Sequence, residues 1–160
     1  MTGNIIIENH QGRAVEIHIE GIIGMPERDS SPRTHSNTAT YARFRQQLEK
    51  LQAVRTSELI VHIRSTGGNV NDALLIHDTL RNLDCEITTR CYGYIASAAT
   101  LIAQAASPGK REMSANGLYL IHRAACNSEG DADTLGEASR MLHKTDEQIA
   151  RIYAERSGMP

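Results

Sequence analysis

Three groups of residues in this 160-residue chain have the types and order that acyl-transfer chemistry uses. One hydroxyl, Ser97, stands in Gly93-Tyr94-Ile95-Ala96-Ser97-Ala98-Ala99-Thr100, where small neighbours leave clearance for another chain. A serine hydroxyl is a weak nucleophile until a base takes its proton, and His122, closing the run Leu118-Tyr119-Leu120-Ile121, is the histidine placed for that task. The pair Gly67-Gly68 in Ser65-Thr66-Gly67-Gly68 lets backbone N–H groups approach a ligand with no Cβ in the way. Each group also has an ordinary reading: a serine that packs or caps a helix, a tight turn, an edge histidine with a hydrogen bond. From residue types alone both readings stay open.

Other chemistries find less support. His10 falls in a turn, His18 and His62 within strands, His35 in a polar loop, and His77 and His143 on helices. No two of them have metal-ligand spacing with each other or with Cys or carboxylates, so no zinc site is expected. The glycine pair is not followed by Gly-Lys-Ser/Thr, which disfavours a phosphate loop. A formal net charge of −2 without a basic cluster argues against a nucleic-acid partner. Aromatics at 4%, with no Trp, leave little to stack bases on. Three cysteines (Cys85, Cys91 and Cys126) fit a reducing cytoplasm better than a disulfide framework, and Cys85 and Cys91 read as small buried apolar residues. The N-terminus lacks a signal-peptide pattern, and no apolar run approaches a membrane span.

The elements that must position these residues read as alternating strands and helices. Ile5-Ile6-Ile7 and Ala14 to Ile19 are strands joined by a turn-rich link, and Gly21-Ile22-Ile23-Gly24 extends the second. Residues 26–38 are polar, with Pro26 and Pro32, and read as an exposed loop. Thr38 or Thr40 caps a helix running to about Val54, with Tyr41, Phe44, Leu48 and Leu51 on one stripe. Glu58 to Ile63 is a buried strand ended by the glycine turn, and Asn69 or Asn71 starts a helix through Leu83. Then follow a strand from Cys85 to Tyr92, a helix from Ser97 to Ala106, and short strands at Glu112-Met113 and Leu118 to Ile121. One long helix begins near Asp131. The alternation predicts one α/β domain over residues 1–160, with parallel strands. In such layering, sites form at strand carboxyl ends, where both Gly68 and Ser97 stand. Ser97 would sit at a helix start, where unpaired N–H groups favour a developing negative charge.

The ordered set of motifs resembles the Clp-type (ClpP-like) serine peptidases. Gly68 precedes Ser97 by 29 positions and His122 follows it by 25, intervals that agree with that family, and the resemblance runs from about Ile17 to the end. It implies a ClpP/crotonase-like spiral of βαβ units with a long C-terminal handle helix. Residue by residue, it implies Ser97 as nucleophile and His122 as general base. The backbone N–H groups of Gly68 and Ala98 would form the oxyanion hole, and Asn69 and Val70 would belong to a strip holding substrate as an added strand. It further implies a polypeptide substrate and homo-oligomeric rings, two of which meet through the handle helix. No cofactor, metal, nucleic acid or membrane is implied.

The sequence departs from the family pattern at Thr66, where a Pro is usual, at Ala98, where a Met is usual, and at Arg123-Ala124, where Gln-Pro is usual. The family's orienting aspartate lies beyond the handle helix, whereas this chain closes with Ser157-Gly158-Met159-Pro160. Asp131, Asp133 and Asp146 fall in the handle region, so the expectation is a chain that stops short of the aspartate. A triad lacking that carboxylate loses about 10⁴ in turnover, so weak or absent peptidase activity is expected of these residues. The short start and Ser-rich loop are similar to the phage or prophage head-maturation branch, which trims capsid-assembly proteins without an ATPase. Three other readings stand beside it: the proteolytic core of an ATP-dependent Clp protease, a non-catalytic ring-forming assembly protein, and a crotonase-type acyl-CoA enzyme.

Overall fold

A computed structural model describes residues 4–9, 15–24, 38–39, 41–51 and 56–159. The expected polar loop at 26–37, with His35, and the turn holding His10 lie outside the described residues. The chain divides into two compact units, Met1–Ile121 and His122–Pro160.

In the first unit, β1 (Asn4–Asn9) runs antiparallel to β2 (Val15–Ile23), and β2 pairs in parallel with β4 (Glu58–Gly68). Beyond β4 the sheet continues in parallel through β5 (Glu86–Cys91) to β7 (Arg111–Met113), while the two-residue β3 (Thr38–Ala39) pairs with the end of β2. A second, two-stranded parallel sheet joins β6 (Tyr94–Ala96) to β8 (Leu118–Leu120). The helices are α1 (Tyr41–Leu51), α2 (Val70–Arg81) and α3 (Ala98–Ala103).

Period-two alternation makes β2 two-faced: Val15, Ile17 and Ile19 are buried, while Glu16, His18 and Glu20 are half-buried on the opposite face. Leu59, Val61 and Ile63 of β4 share the interior with Ala73, Ile76 and Leu80 of α2 and with Leu101 and Ile102 of α3. Burying each large aliphatic side chain contributes about 1.5–3 kcal/mol. Asn69 caps α2, its side-chain oxygen accepting from the Asp72 N–H at 3.0 Å. The buried Asp72 carboxylate in turn accepts from the Tyr41 N–H at 3.3 Å, tying the head of α1 to the head of α2.

Two elements differ from the sequence reading. The strand expected to end at Ile63 runs on to Gly68, so Ser65-Thr66-Gly67-Gly68 is extended chain inside β4. The physical cause is a bulge: Gly21 faces Ser65 and Ile22 faces Gly67, leaving Thr66 as the extra residue. Gly67 (φ +89°) and Gly68 (φ +144°) supply backbone angles that a side chain resists. The second difference is β6, a strand of three residues inside the stretch read as leading straight into a helix.

The second unit holds α4 (Ala132–Ser157). Asp131 caps it, accepting from the Thr134 N–H (2.9 Å) and hydroxyl (2.8 Å), and those bonds hold its carboxyl below the usual carboxylate range. Gly158 ends the helix in the left-handed conformation, φ +68°. No helix among the described residues is long and apolar enough to cross a membrane.

Candidate active site

The short ladder between β6 and β8 sets the backbone at Ser97. Leu118 N–H donates to Gly93 O at 2.6 Å, and at the far end Ser97 N–H donates to Leu120 O at 2.9 Å. The chain must then turn at once into α3. It does so within one residue: Ser97 has φ +55°, ψ −131°, the single non-glycine at positive φ among the described residues. Such a conformation costs of order 1–3 kcal/mol and persists only where the surroundings over-determine it. The surroundings here are the β6–β8 ladder on one side and Thr100 on the other, whose N–H (2.9 Å) and hydroxyl both donate to the Ser97 carbonyl.

Helix α3 is itself braced. Gln104, buried at its end, donates to Tyr119 Oη at 2.7 Å and to Thr100 O at 3.2 Å, and its Oε1 accepts from the Arg111 guanidinium. Thr89 of β5 adds a hydroxyl bond to Ala103 O at 3.1 Å. Ser97 stays half-exposed between buried Ala96 and Ala98, and its hydroxyl makes no capping bond to α3. The helix-cap reading of Ser97 is thereby set aside. A strand, a strained serine and a helix start in immediate succession are the geometry by which a nucleophile is pushed out of a backbone.

The bulged end of β4 lies against this turn. A Cβ placed on Gly67 would fall 2.6 Å from Ala96 O, 2.6 Å from Ser97 Cβ and 2.9 Å from Ala98 N. On Gly68 it would fall 1.8 Å from Ile23 O. Gly67 N–H is held by the buried Ser65 hydroxyl at 3.0 Å. The structure thus brings the glycine pair, Ser97 and the Ala98 N–H together. Asn69 and Val70 stand at the head of α2, with helical backbone from Val70 on, and the Asn69 N–H donates to Ile23 O at 2.7 Å.

His122 opens the second unit, two residues along the chain from Leu120, whose carbonyl Ser97 holds. It is exposed, and its Nδ1 lies 2.5 Å from Arg123 O. A carbonyl only accepts, so Nδ1 carries the hydrogen and a neutral ring keeps its lone pair on Nε2, the tautomer of a base acting through Nε2. Two residues on, Ala124 N–H donates to Asp146 Oδ1 at 2.7 Å, anchoring the segment to α4. The sequence offered no sign of this anchor, because it pairs a backbone group with a mid-helix carboxylate. It likewise gave no sign of a cluster on the sheet, where Glu16, His18 and His62 meet across β2 and β4.

The sequence profile described as "Clp protease" matches residues 27–160. The chain belongs to the Clp protease family. It is similar to the ATP-dependent Clp protease proteolytic subunit of Chlorokybus atmophyticus, 31% identical over 105 residues that make up 66% of this chain and 47% of that protein. It is also similar to the subunit of the same name from Oltmannsiellopsis viridis, 29% identical over 106 residues, 66% of this chain and 54% of that one. The chain spans about half the length of these curated relatives. Among solved structures, a ClpP1 variant from Listeria monocytogenes superposes with a TM-score of 0.73 at 23% identity, covering 91% of this chain and 73% of its own. The Clp-type fold expected from the motifs, with its long C-terminal helix, is therefore the fold observed.

Proposed function

We propose that the chain is the peptidase portion of a Clp-type serine endopeptidase. Ser97 Oγ attacks the scissile carbonyl carbon while His122 Nε2 takes its proton. The negative oxygen of the tetrahedral intermediate is met by the Gly68 and Ala98 N–H groups. Collapse passes the proton from His122 to the leaving amine and leaves a Ser97 acyl ester. A water molecule, deprotonated in turn by His122, attacks the ester and restores the hydroxyl. The observation that carries this reading is the strained Ser97 at the β6–α3 junction with Gly67 packed against it. The substrate would lie extended along the strip at Asn69 and Val70, where β4 gives way to α2, and the chain would assemble into rings through α4.

The finer reading is a prophage head-maturation peptidase acting on capsid-assembly proteins, supported by the similarity of the Ser-rich loop. The names of the similar proteins favour a second reading, the proteolytic core of an ATP-dependent protease. A fluorophosphonate probe applied to the intact protein tests the first proposal: adduct on Ser97 that disappears in His122→Ala is expected. An unlabelled Ser97 in correctly folded protein would refute it and leave a non-catalytic assembly role. Cleavage of an unfolded protein with and without ATP and an unfoldase then separates the two peptidase readings.

A further inference from the structure

We propose that Glu16, His18 and His62 form a site for a first-row divalent metal ion of the Zn²⁺ kind. His18 and His62 are register partners on the parallel strands β2 and β4, so their imidazoles stand side by side on the sheet face opposite Ile17 and Ile19. Their rings stack at 4.4 Å with an interplanar angle of 7°, and Tyr92 backs His62 at 5.7 Å. Glu16, two residues before His18, reaches both: its Oε2 is 2.9 Å from His62 Nε2 and 3.9 Å from His18 Nε2. One ligand atom from each of the three residues lies within 4.8 Å of the others.

Two further observations point to an ion. His18 Nε2 is buried and makes no hydrogen bond among the described residues, a state that costs roughly 1–3 kcal/mol and that coordination would relieve. The flanking guanidiniums are hydrogen-bonded to other carboxylates: Arg64 to Glu20 at 3.3 Å, and Arg90, the register partner of His62 on β5, to Glu112 at 2.8 Å, although Arg90 also feels the Glu16 charge. The Glu16 carboxylate itself faces the imidazoles.

Two histidines and a carboxylate are a donor set that suits zinc, leaving a fourth position for water. Ligand atoms around a tetrahedral ion with bonds of 2.0–2.1 Å are about 3.4 Å apart, between the two separations measured to Glu16. The stacked rings aim their lone pairs side by side, so binding requires the two imidazoles to tilt toward each other. Rotation about the terminal ring torsion is soft. The hydrogen shared between His62 Nε2 and Glu16 must move to Nδ1 as the ion enters, so that the ring offers its Nε2 lone pair. An ion there would clamp β2 to β4 ahead of the glycine bulge. This proposal is independent of the peptidase reading.

The test uses the intact, untagged protein. Calorimetric titration with ZnCl₂ should show one equivalent bound and a melting temperature raised by several degrees. His18→Gln and His62→Gln should each weaken binding by about tenfold or more. Co²⁺ added to the unsubstituted protein should broaden the imidazole NMR signals of His18 and His62 selectively, a readout that needs no substitution. Binding that persists unchanged in variants with an unaltered metal-free melt, or broadening confined to other histidines or cysteines, would overturn the proposal, as would the lack of any saturable binding.

Discussion

Replacing Gly67 by alanine tests the site at its tightest point. The new Cβ would sit 2.6 Å from Ala96 O and from Ser97 Cβ and 2.9 Å from Ala98 N, with backbone on both sides of the gap. Reaching ordinary contact requires the bulge and the serine turn to separate by about 0.8 Å. A positive φ adds roughly 1–2 kcal/mol for an L-residue. Displacements near 1 Å cost about 10²-fold in well-oriented reactions, and loss of one oxyanion donor costs about 10²–10³. Gly109→Ala separates the two effects, since Gly109 has φ +76° but open space around it. Both variants should lose stability; at about 2–4 °C per kcal/mol, Gly109→Ala should melt a few degrees lower and Gly67→Ala lower still. The assay is the second-order rate of fluorophosphonate labelling of Ser97 at equal folded fraction. Gly109→Ala should label like the parent protein, and Gly67→Ala about a hundredfold more slowly. Labelling of Gly67→Ala at the Gly109→Ala rate would refute the argument that the glycine holds the serine turn.

Ser97→Gly should abolish labelling yet raise the melting temperature, because relief of the positive φ, at least about 1 kcal/mol, offsets the chain entropy glycine adds. Asp146→Ala frees the Ala124 N–H and should slow labelling of Ser97 about tenfold by loosening the segment that carries His122, with Asp146→Asn, which keeps an acceptor oxygen, recovering most of the rate. Burial pushes the Cys91 thiol up to about 11, against partial lowering by Arg111, so at pH 8 only about one part in 10³ is thiolate. Exposed Cys126 should therefore be alkylated first by iodoacetamide, and Cys91 only after denaturation. Because folded Cys91 holds its proton more tightly than the unfolded thiol near 9, its contribution to stability is full below about pH 9. That contribution should fall as pH rises from 9 toward 11, as urea melts across that range would show.

Much of the fold is legible where one element carries a whole pattern. β2 alternates buried and half-buried residues from Val15 to Glu20, where apolar and polar residues also alternate, so its period is plain in the sequence. Asn69 and Asp131 announce α2 and α4 because a cap is a local bond between neighbours along the chain. β8 falls within the strand read at Leu118 to Ile121, whereas β6 escapes definition, since three residues are too few to show a period and its pairing with β8 belongs to the ladder, not to either strand. The glycine pair was expected as a turn and is a bulged strand end. What distinguishes the two is the register against Gly21 and Ile22, some forty residues away in the chain.

The site divides along the same line. Serine, histidine and glycines can be picked out by type and spacing, but nothing in Ile95-Ala96-Ser97-Ala98 announces that the serine has φ +55°. That angle follows from the meeting of three separate constraints: Leu120 O on the Ser97 N–H, Thr100 on its carbonyl, and Gly67 against its Cβ. Gly67 can approach so closely only because it has no side chain, and it stands there only because Thr66 is bulged out of register with β2. A strained serine needs all of these at once. Releasing any one should let Ser97 relax toward an ordinary helix start, with its hydroxyl free to cap α3. The chemistry proposed for Ser97 thus rests on the sheet register as much as on the serine: the bulge is one extra residue, so deleting Thr66 would restore regular pairing, withdraw Gly67 from the serine turn and slow fluorophosphonate labelling of Ser97.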